Sequence, residues 1–431
     1  MSQPHWPVLL YRRIVKTQND NTDSKTAKNF LKLIFAQFLT NIGDALVNPK
    51  VTLPWLMNSV GAPTFLIGWL VPIRESGSLL PQLFIANAIK RLSIRKWVWV
   101  SGSSIQACSL LGMAAVAALV EGALAGVLIL LLLTVFSFAR GLNSVANKDV
   151  LGKAIPKAQR GQVTGLSASA AGLVTVGIGG LMAASYALDW NQSGYFVWGL
   201  VLGAVMWLVA SLVFAKVDED KGETENSDLS VLAVLKQLSL LKTDKAFRRF
   251  VITRAMFLGT ALSAPYYVLL AEQSIGSSIW VLALFMVISG LAGLLSGPFW
   301  GRFSDVSSRK VLVFASAMGG VTGVLLWAIG FWLPDLLGSI WLLPLFYFLL
   351  TVFHQGIRVG RKTYLVDMAE GNKRTSYTAV GNTAIGILLL ILSTLGILSE
   401  VLSLQALVGI YSCITLVGVV FALRLPDVSH S

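Results

Sequence analysis

Charge is scarce in this chain: Asp, Glu, Lys and Arg make up 13% of 431 residues, against 55% hydrophobic. No soluble domain covers that much apolar surface, and a mean hydropathy of +0.72 describes a polytopic membrane protein. Cysteine is scarcer still. Cys108 and Cys413 both fall in apolar runs, which excludes a disulfide scaffold and reads as two small buried hydrophobes. Of the three histidines, His5 and His430 sit in the tails and His354 stands alone, so no spacing suggests a metal site and no cofactor is expected. The chain has no Gly-x-x-x-x-Gly-Lys-Ser/Thr loop, which removes ATP hydrolysis as an energy source. No nucleophile, base and orienting acid converge by spacing, so it does not read as an enzyme. Residues 1–28 lack the apolar core and cleavage site of a signal peptide and read as a polar, basic tail.

What is present is a series of twelve apolar runs, each near the ~20 residues that cross a hydrocarbon core of ~30 Å. They are Phe30–Met57, Pro63–Ala88, Trp97–Leu119, Leu124–Asn147, Val163–Leu188, Gly194–Ala215, Phe247–Leu270, Ile279–Trp300, Val311–Leu333, Ile340–Arg361, Ala379–Leu398 and Leu402–Leu423. Runs of this length without alternation are helices, because only helices and closed barrels satisfy the backbone in lipid. The expected organisation is an all-α membrane protein. It has a tail at 1–28, a six-helix bundle at 29–215, a linker at 216–246, a second six-helix bundle at 247–424 and a short tail at 425–431. Within the linker, Leu229 to Leu241 has the apolar spacing of a short interfacial helix.

Lys and Arg fall only in alternate loops. One set carries Lys90, Arg91, Arg95, Lys96, Lys153, Lys157, Arg160, Arg302, Arg309, Lys310, Lys373 and Arg374, together with the basic residues of the linker. The other set carries none, and most of its loops hold one acid: Glu121, Asp189, Glu272, Asp335 and Glu400. The positive-inside rule puts the first set and both termini in the cytoplasm, as expected for a multi-pass protein of the cytoplasmic (inner) membrane. The net charge of +13 belongs almost wholly to that face and suits anionic headgroups; nothing points to a nucleic acid.

Two of these loops are related. At an offset of 214 residues and without gaps, Ser93 pairs with Ser307, Arg95 with Arg309, Lys96 with Lys310, Glu121 with Asp335, Lys148 with Lys362 and Arg160 with Arg374. That is an internal repeat of half the chain. The second copy, Gly301-Arg302-Phe303-Ser304-Asp305-Val306-Ser307-Ser308-Arg309-Lys310, resembles the Gly-x-Leu-x-Asp-Arg-x-Gly-Arg-Lys signature of the major facilitator superfamily. Gly301, Asp305, Arg309 and Lys310 match, and Ser308 replaces the second glycine. The first copy departs further, with Asn87 and Arg91 where the signature has glycine and aspartate. The resemblance implies two pseudosymmetric bundles working by alternating access. It also implies a cytoplasmic gate, for which Arg95, Lys96, Arg140, Gly301, Asp305, Arg309, Lys310, Arg361 and Lys362 are the candidates, Asp305 being the natural partner of Arg358 or Arg361. Gly172, Gly177, Gly179 and Gly180 are similar to the glycine-rich motif of the family's antiporters, but Val176 stands where that motif has proline.

The chemistry must come from polar groups inside the spans. Gln37, Asn41, Asp44 and Asn48 recur at steps of four, three and four and form one helical stripe, which ends at Pro49 and Lys50, where a kink is expected. The second run carries Arg74, Ser78 and Gln82 at steps of four, beside Glu75, Pro72 and Pro81. Asp44 and Arg74 both count to mid-bilayer. Four charges placed there against lipid (Asp44, Lys50, Arg74, Glu75) would cost about 10 kcal/mol or more at ~2.5–3.5 kcal/mol each, so they face the protein interior. The other half adds Arg254, and His354, Arg358, Arg361 and Lys362 on one stripe; at the repeat offset this stripe maps to Arg140, Ser144, Asn147 and Lys148.

Two accounts of these charges stay open: ion pairs that only pack the helices, or a site for substrate and a coupling proton formed by Asp44, Lys50, Arg74, Glu75, Arg254, His354 and Arg358. The second implies a secondary transporter for a small anionic or zwitterionic solute, proton-coupled and monomeric. Its alternatives are a drug or lipid exporter with an apolar cavity from Trp55, Trp69, Phe257 and Tyr266, and a membrane sensor or scaffold without turnover.

Overall fold

The computed structural model describes Tyr11, residues 24–155, 170–184, 194–222, Thr224, 238–368 and 373–428, apart from the side chains of Leu83, Ala86, Asn87, Lys90, Pro298, Asp305, Val366, residues 373–376 and Ala379. The backbone groups of apolar runs have to be satisfied locally, and among the described residues every regular element is a helix. Nine helices there are long and apolar enough to cross a membrane, which makes this a multi-pass membrane protein. The interfacial stretch expected near Leu229 lies mostly outside the described residues.

The first run is a long helix, α1 (Ser24–Leu46), that stops before Pro49 and resumes as α2 (Thr52–Ser59). α1 starts several residues earlier than the apolar pattern suggested, because Asn29 bonds the backbone of Asp218 in both directions at 2.9 Å and fastens this end to the linker. The second run is in three pieces, α3 (Thr64–Ile67), α4 (Leu70–Leu79) and α5 (Gln82–Lys90), and Pro81 separates the last two. α6 (Lys96–Leu119), α7 (Gly122–Ala154), α8 (Ala170–Ala184) and α9 (Tyr195–Ala215) complete the first half. The seventh run is also broken, into α10 (Lys245–Met256), α11 (Gly259–Leu262) and α12 (Ala264–Ser274). α13 (Ile279–Val306), α14 (Ser308–Trp332), α15 (Leu342–Met368), α16 (Lys373–Ser393), a 3-10 turn over Thr394–Glu400 and α17 (Leu404–Leu423) follow. At the repeat offset the break at 48–51 falls on 262–265, so the first helix of each half is interrupted at the same level.

The buried core shows how the halves meet. One cluster joins them, with Leu53, Trp55 and Leu70 beside Tyr266, Leu269 and Tyr347. Toward the basic loops it divides in two, one around Phe30, Trp99 and Phe214 of the first half and one around Phe250, Trp300 and Tyr364 of the second. The halves therefore share one core at the acidic-loop end and have separate cores toward the basic-loop end, where Asn382 still donates to Gln82 across them at 3.4 Å. Small residues make the contact at the shared core close. A Cβ on Gly68 would lie 2.6 Å from the Tyr266 hydroxyl and 3.4 Å from the Gly396 Cα, so only glycine lets these backbones touch. A Cβ on Gly172 would strike Leu294, and one on Gly179 the Ala283 carbonyl, whereas Gly177 and Gly180 meet open space.

Each repeat hairpin grips the end of its own half. Lys96 Nζ donates to the carbonyls of Ala215 (2.9 Å) and Val217 (2.8 Å), and Arg95 pairs with Asp149 while its N–H donates to Glu219. In the second half Arg309 donates to the Leu425 carbonyl at 3.0 Å, and Ser307 to Asp427. Lys310 is exposed, and its backbone N–H takes the Ser307 cap. A Cβ on Gly301 would meet nothing, so packing does not demand that glycine.

Two expectations fail here. Cys108 and Cys413 are exposed on outward faces of α6 and α17, since apolar side chains suit lipid as well as core. Glu272 is not in a loop: α12 runs on to Ser274 and buries it to 7% exposure beside Trp55, Asn58 and Tyr195.

Candidate functional site

Close helix approach builds the centre of the molecule. A Cβ on Gly43 would lie 2.5 Å from Trp207 Nε1, and one on Gly77 would lie 2.6 Å from the Ser137 Cβ, so α1 comes against α9 and α4 against α7. Those approaches bring Asp44, Arg74 and Arg140 together. Arg74 donates to Asp44 Oδ1 at 2.8 Å, and Arg140 spans both oxygens at 2.7 and 2.6 Å. Phe136 lies 4.8 Å from the Arg74 guanidinium, and Arg74 is 6% exposed. Two guanidiniums share one carboxylate, which leaves a positive excess of one.

Beyond this group the first helix is open. Asn48 accepts from the Lys50 backbone N–H at 2.9 Å, which caps the turn left by Pro49, and the Lys50 ammonium crosses to the other half, 3.0 Å from His354 Nε2. An ammonium only donates, so Nε2 accepts and Nδ1 carries the proton. Nδ1 then donates to Thr260 Oγ1 at 2.9 Å, and that hydroxyl to the Phe257 carbonyl at 3.0 Å, on the frayed turn between α10 and α11.

These groups line a cavity of about 290 Å³ between the halves, with Glu75, Arg358 and Tyr347 also in its wall. Glu75 is exposed to this space, and among the described residues it has no ion pair within 4 Å; the cations acting on it are Lys50, Arg358, Arg74 and Arg361. A second space of about 440 Å³ shares Lys50, Glu75, His354 and Arg358 with the first and continues to Lys148 and Lys362 at the basic-loop end. Arg254, Arg361 and Asn382 border it, and Arg254 donates to Asn382 Oδ1 at 3.0 Å. Together the two spaces carry eight cationic side chains and two carboxylates, Asp44 and Glu75. The repeat is visible in the lining: Arg140 and His354 are equivalent positions, as are Lys148 and Lys362.

All seven residues grouped as a site by sequence line these spaces. The gate set does not stay together. Arg140 sits with Asp44 in the centre, while Arg361 and Lys362 line the wider space, and Arg95, Lys96 and Arg309 bond within their own halves. The resemblance groups Arg140 with the cytoplasmic gate, whereas its position in the 33-residue α7, opposite α1, brings it to Asp44. The proposed contact of Asp305 with Arg358 or Arg361 involves a side chain outside the described residues. Thr260, Asn382 and Gln355 were not anticipated, since single neutral residues in apolar runs carry no periodic signal. The four aromatics expected to form an apolar cavity do not line one together: Trp55 and Tyr266 are buried in the shared core, Trp69 packs against that core, and Phe257 borders the charged space. Among the described residues no cluster of His, Cys, Asp and Glu could hold a metal ion.

Comparison with known proteins agrees with this architecture. No curated protein matches the chain significantly in sequence. Among solved structures, a POT family transporter in complex with 5-aminolevulinic acid superposes with a TM-score of 0.72 at 11% identity, over 91% of this chain and 95% of that one. A D-xylose-proton symporter gives 0.70 at 13%, covering 94% and 98%, and the nucleoside transporter NupG gives 0.69 at 14%, covering 92% and 99%. The family model for the Major Facilitator Superfamily matches residues 33–323 and 250–431, nearly the whole length between them. This chain belongs to the Major Facilitator Superfamily.

Proposed function

We propose that the protein is a secondary active transporter that moves a small anionic solute by alternating access. The observation that carries this reading is the cavity between the halves, sealed at the acidic-loop end around Gly68 and Gly396 and continuous toward Lys148 and Lys362 at the other. A packing role alone would pair charges and close over them. Here six cations beyond those held by Asp44 share only Glu75, and the space between them is of the size that holds small ligands. An anion is the solute this field favours.

We infer that Glu75 is the proton carrier in preference to Asp44 and His354. Asp44 is held by two guanidiniums, and protonating His354 would set it against the Lys50 ammonium. Glu75 faces the cavity without a direct ion pair and is free to exchange its cations for a substrate anion, taking a proton from the aqueous side as it does so. The positive-inside rule favours cytoplasmic basic loops, and a space lined as far as Lys148 and Lys362 supports reading this conformation as the inward-facing one.

The test is current or uptake in proteoliposomes on jumping a panel of organic anions, with and without a pH gradient. The reading predicts uptake of an anion that the gradient drives, lost in Glu75→Gln. Uptake of neutral apolar compounds and no anion would favour an exporter of drugs or lipids instead.

A further inference from the structure

The wider space has a chemistry of its own. Arg254 is 8% exposed, and its Nε has no hydrogen-bond partner among the described residues, although one of its terminal nitrogens reaches Asn382. Arg358 and Arg361, one turn apart on α15, face the same volume, and neither forms an ion pair with a described carboxylate. Lys50 closes the group from the first half. Four cations thus surround one acid, Glu75, and a guanidinium with an open donor edge is shaped for a planar or tetrahedral oxyanion. With Glu75 protonated these four carry +4, which one negative charge on a ligand lowers to +3 and two lower to +2, so the field favours a ligand with more than one negative charge. The same space is also lined by apolar side chains, Phe257, Leu258, Ile357, Ile385 and Leu389.

We propose that the substrate is an organic anion carrying at least two negative charges in oxyanion groups, with an apolar body. The charges are held by Arg254, Arg358 and Arg361, and the body lies against the wall at Phe257 and Ile385. This inference rests on the reading of the cavity as a transport site.

Two pairs of probes test it on purified full-length protein by ligand-induced thermal shift at pH 8 and constant ionic strength. Hexyl phosphate, a dianion, is compared with its methyl diester, a monoanion with the same tail; suberate is compared with its monomethyl ester. The expected result is that the dianion of at least one pair binds ten-fold tighter or more than its monoanion, and which pair responds tells a phosphate from a dicarboxylate. Arg254→Gln and Arg358→Gln should each erase that preference. Arg361→Gln, whose side chain is not fully buried, serves if Arg254→Gln does not fold. Equal binding of mono- and dianions, no response to either pair, or a preference that survives in the variants overturns the proposal. Dianion binding without uptake in liposomes would uphold the dianion-binding site while overturning the transport reading.

Discussion

Lys50 and His354 join the two halves at the middle of the molecule: the ammonium of the broken first helix donates to the imidazole of α15 at 3.0 Å. The contact fixes the imidazole tautomer through Thr260, and it ties the interruption at Pro49 to the one after Phe257. It has to break when the halves rock, so its strength sets part of the balance between conformations.

Replacing the acceptor tests this link. His354→Ala leaves the half-buried Lys50 ammonium without its partner, and loss of a hydrogen bond to a charged group costs about 1.5–3 kcal/mol. A lower melting temperature is expected for His354→Ala, with most of it restored in His354→Ala/Lys50→Met. A double variant no more stable than the single one would show that the two side chains do not interact.

The shared carboxylate should be more sensitive. Asp44→Asn strands Arg74, which is buried, and Arg140 beside it. Removing one member of a buried pair costs about 3–5 kcal/mol, so Asp44→Asn should be among the least stable single variants, and Asp44→Asn/Arg74→Met closer to wild type. Additive effects in thermal unfolding would contradict the pairing.

At the sealed end the prediction is steric. Gly68→Val places a methyl group where the Tyr266 hydroxyl and the Gly396 backbone meet, and should wedge that end open. With Cys108 and Cys413 replaced by serine, a cysteine at Thr260 should become reactive to an impermeant thiol reagent from the acidic-loop side. Unchanged reactivity would mean that the seal lies elsewhere.

Orientation can be read with the same reagent. Cysteines at Glu121 and Asp335 should be labelled from outside intact cells, and cysteines at Arg302 and Lys310 should not. The reverse pattern would invert every assignment of sidedness.

Much of this was legible in the sequence for physical reasons. Length and hydropathy reveal spans because lipid imposes both, and Pro49 announces a break because proline cannot donate to a helix. The stripes of Asp44 and of His354 to Arg361 pointed inward because mid-bilayer charges are too costly elsewhere. Periodicity assigns a residue to a face, however, and leaves open which neighbour that face meets. The arrival of Arg140 at Asp44 depends on Gly43 against Trp207 and Gly77 against Ser137, contacts between distant segments that no local pattern encodes. Glu272 was misread because a lone acid near a span end looks like a loop residue, while its burial comes from Trp55 and Tyr195 across the interface.

The central claim is that the charges between the halves form a transport site and not a packing device. Counterflow in proteoliposomes, using whichever dianion the binding assay selects, tests it most directly, because exchange of bound substrate requires the site without requiring a gradient. The account predicts counterflow in wild type, none in Arg358→Gln, and in Glu75→Gln counterflow that persists while uptake driven by a pH gradient is lost. Wild-type counterflow in Arg358→Gln, together with gradient-driven uptake in Glu75→Gln, would contradict it and return these residues to a structural role.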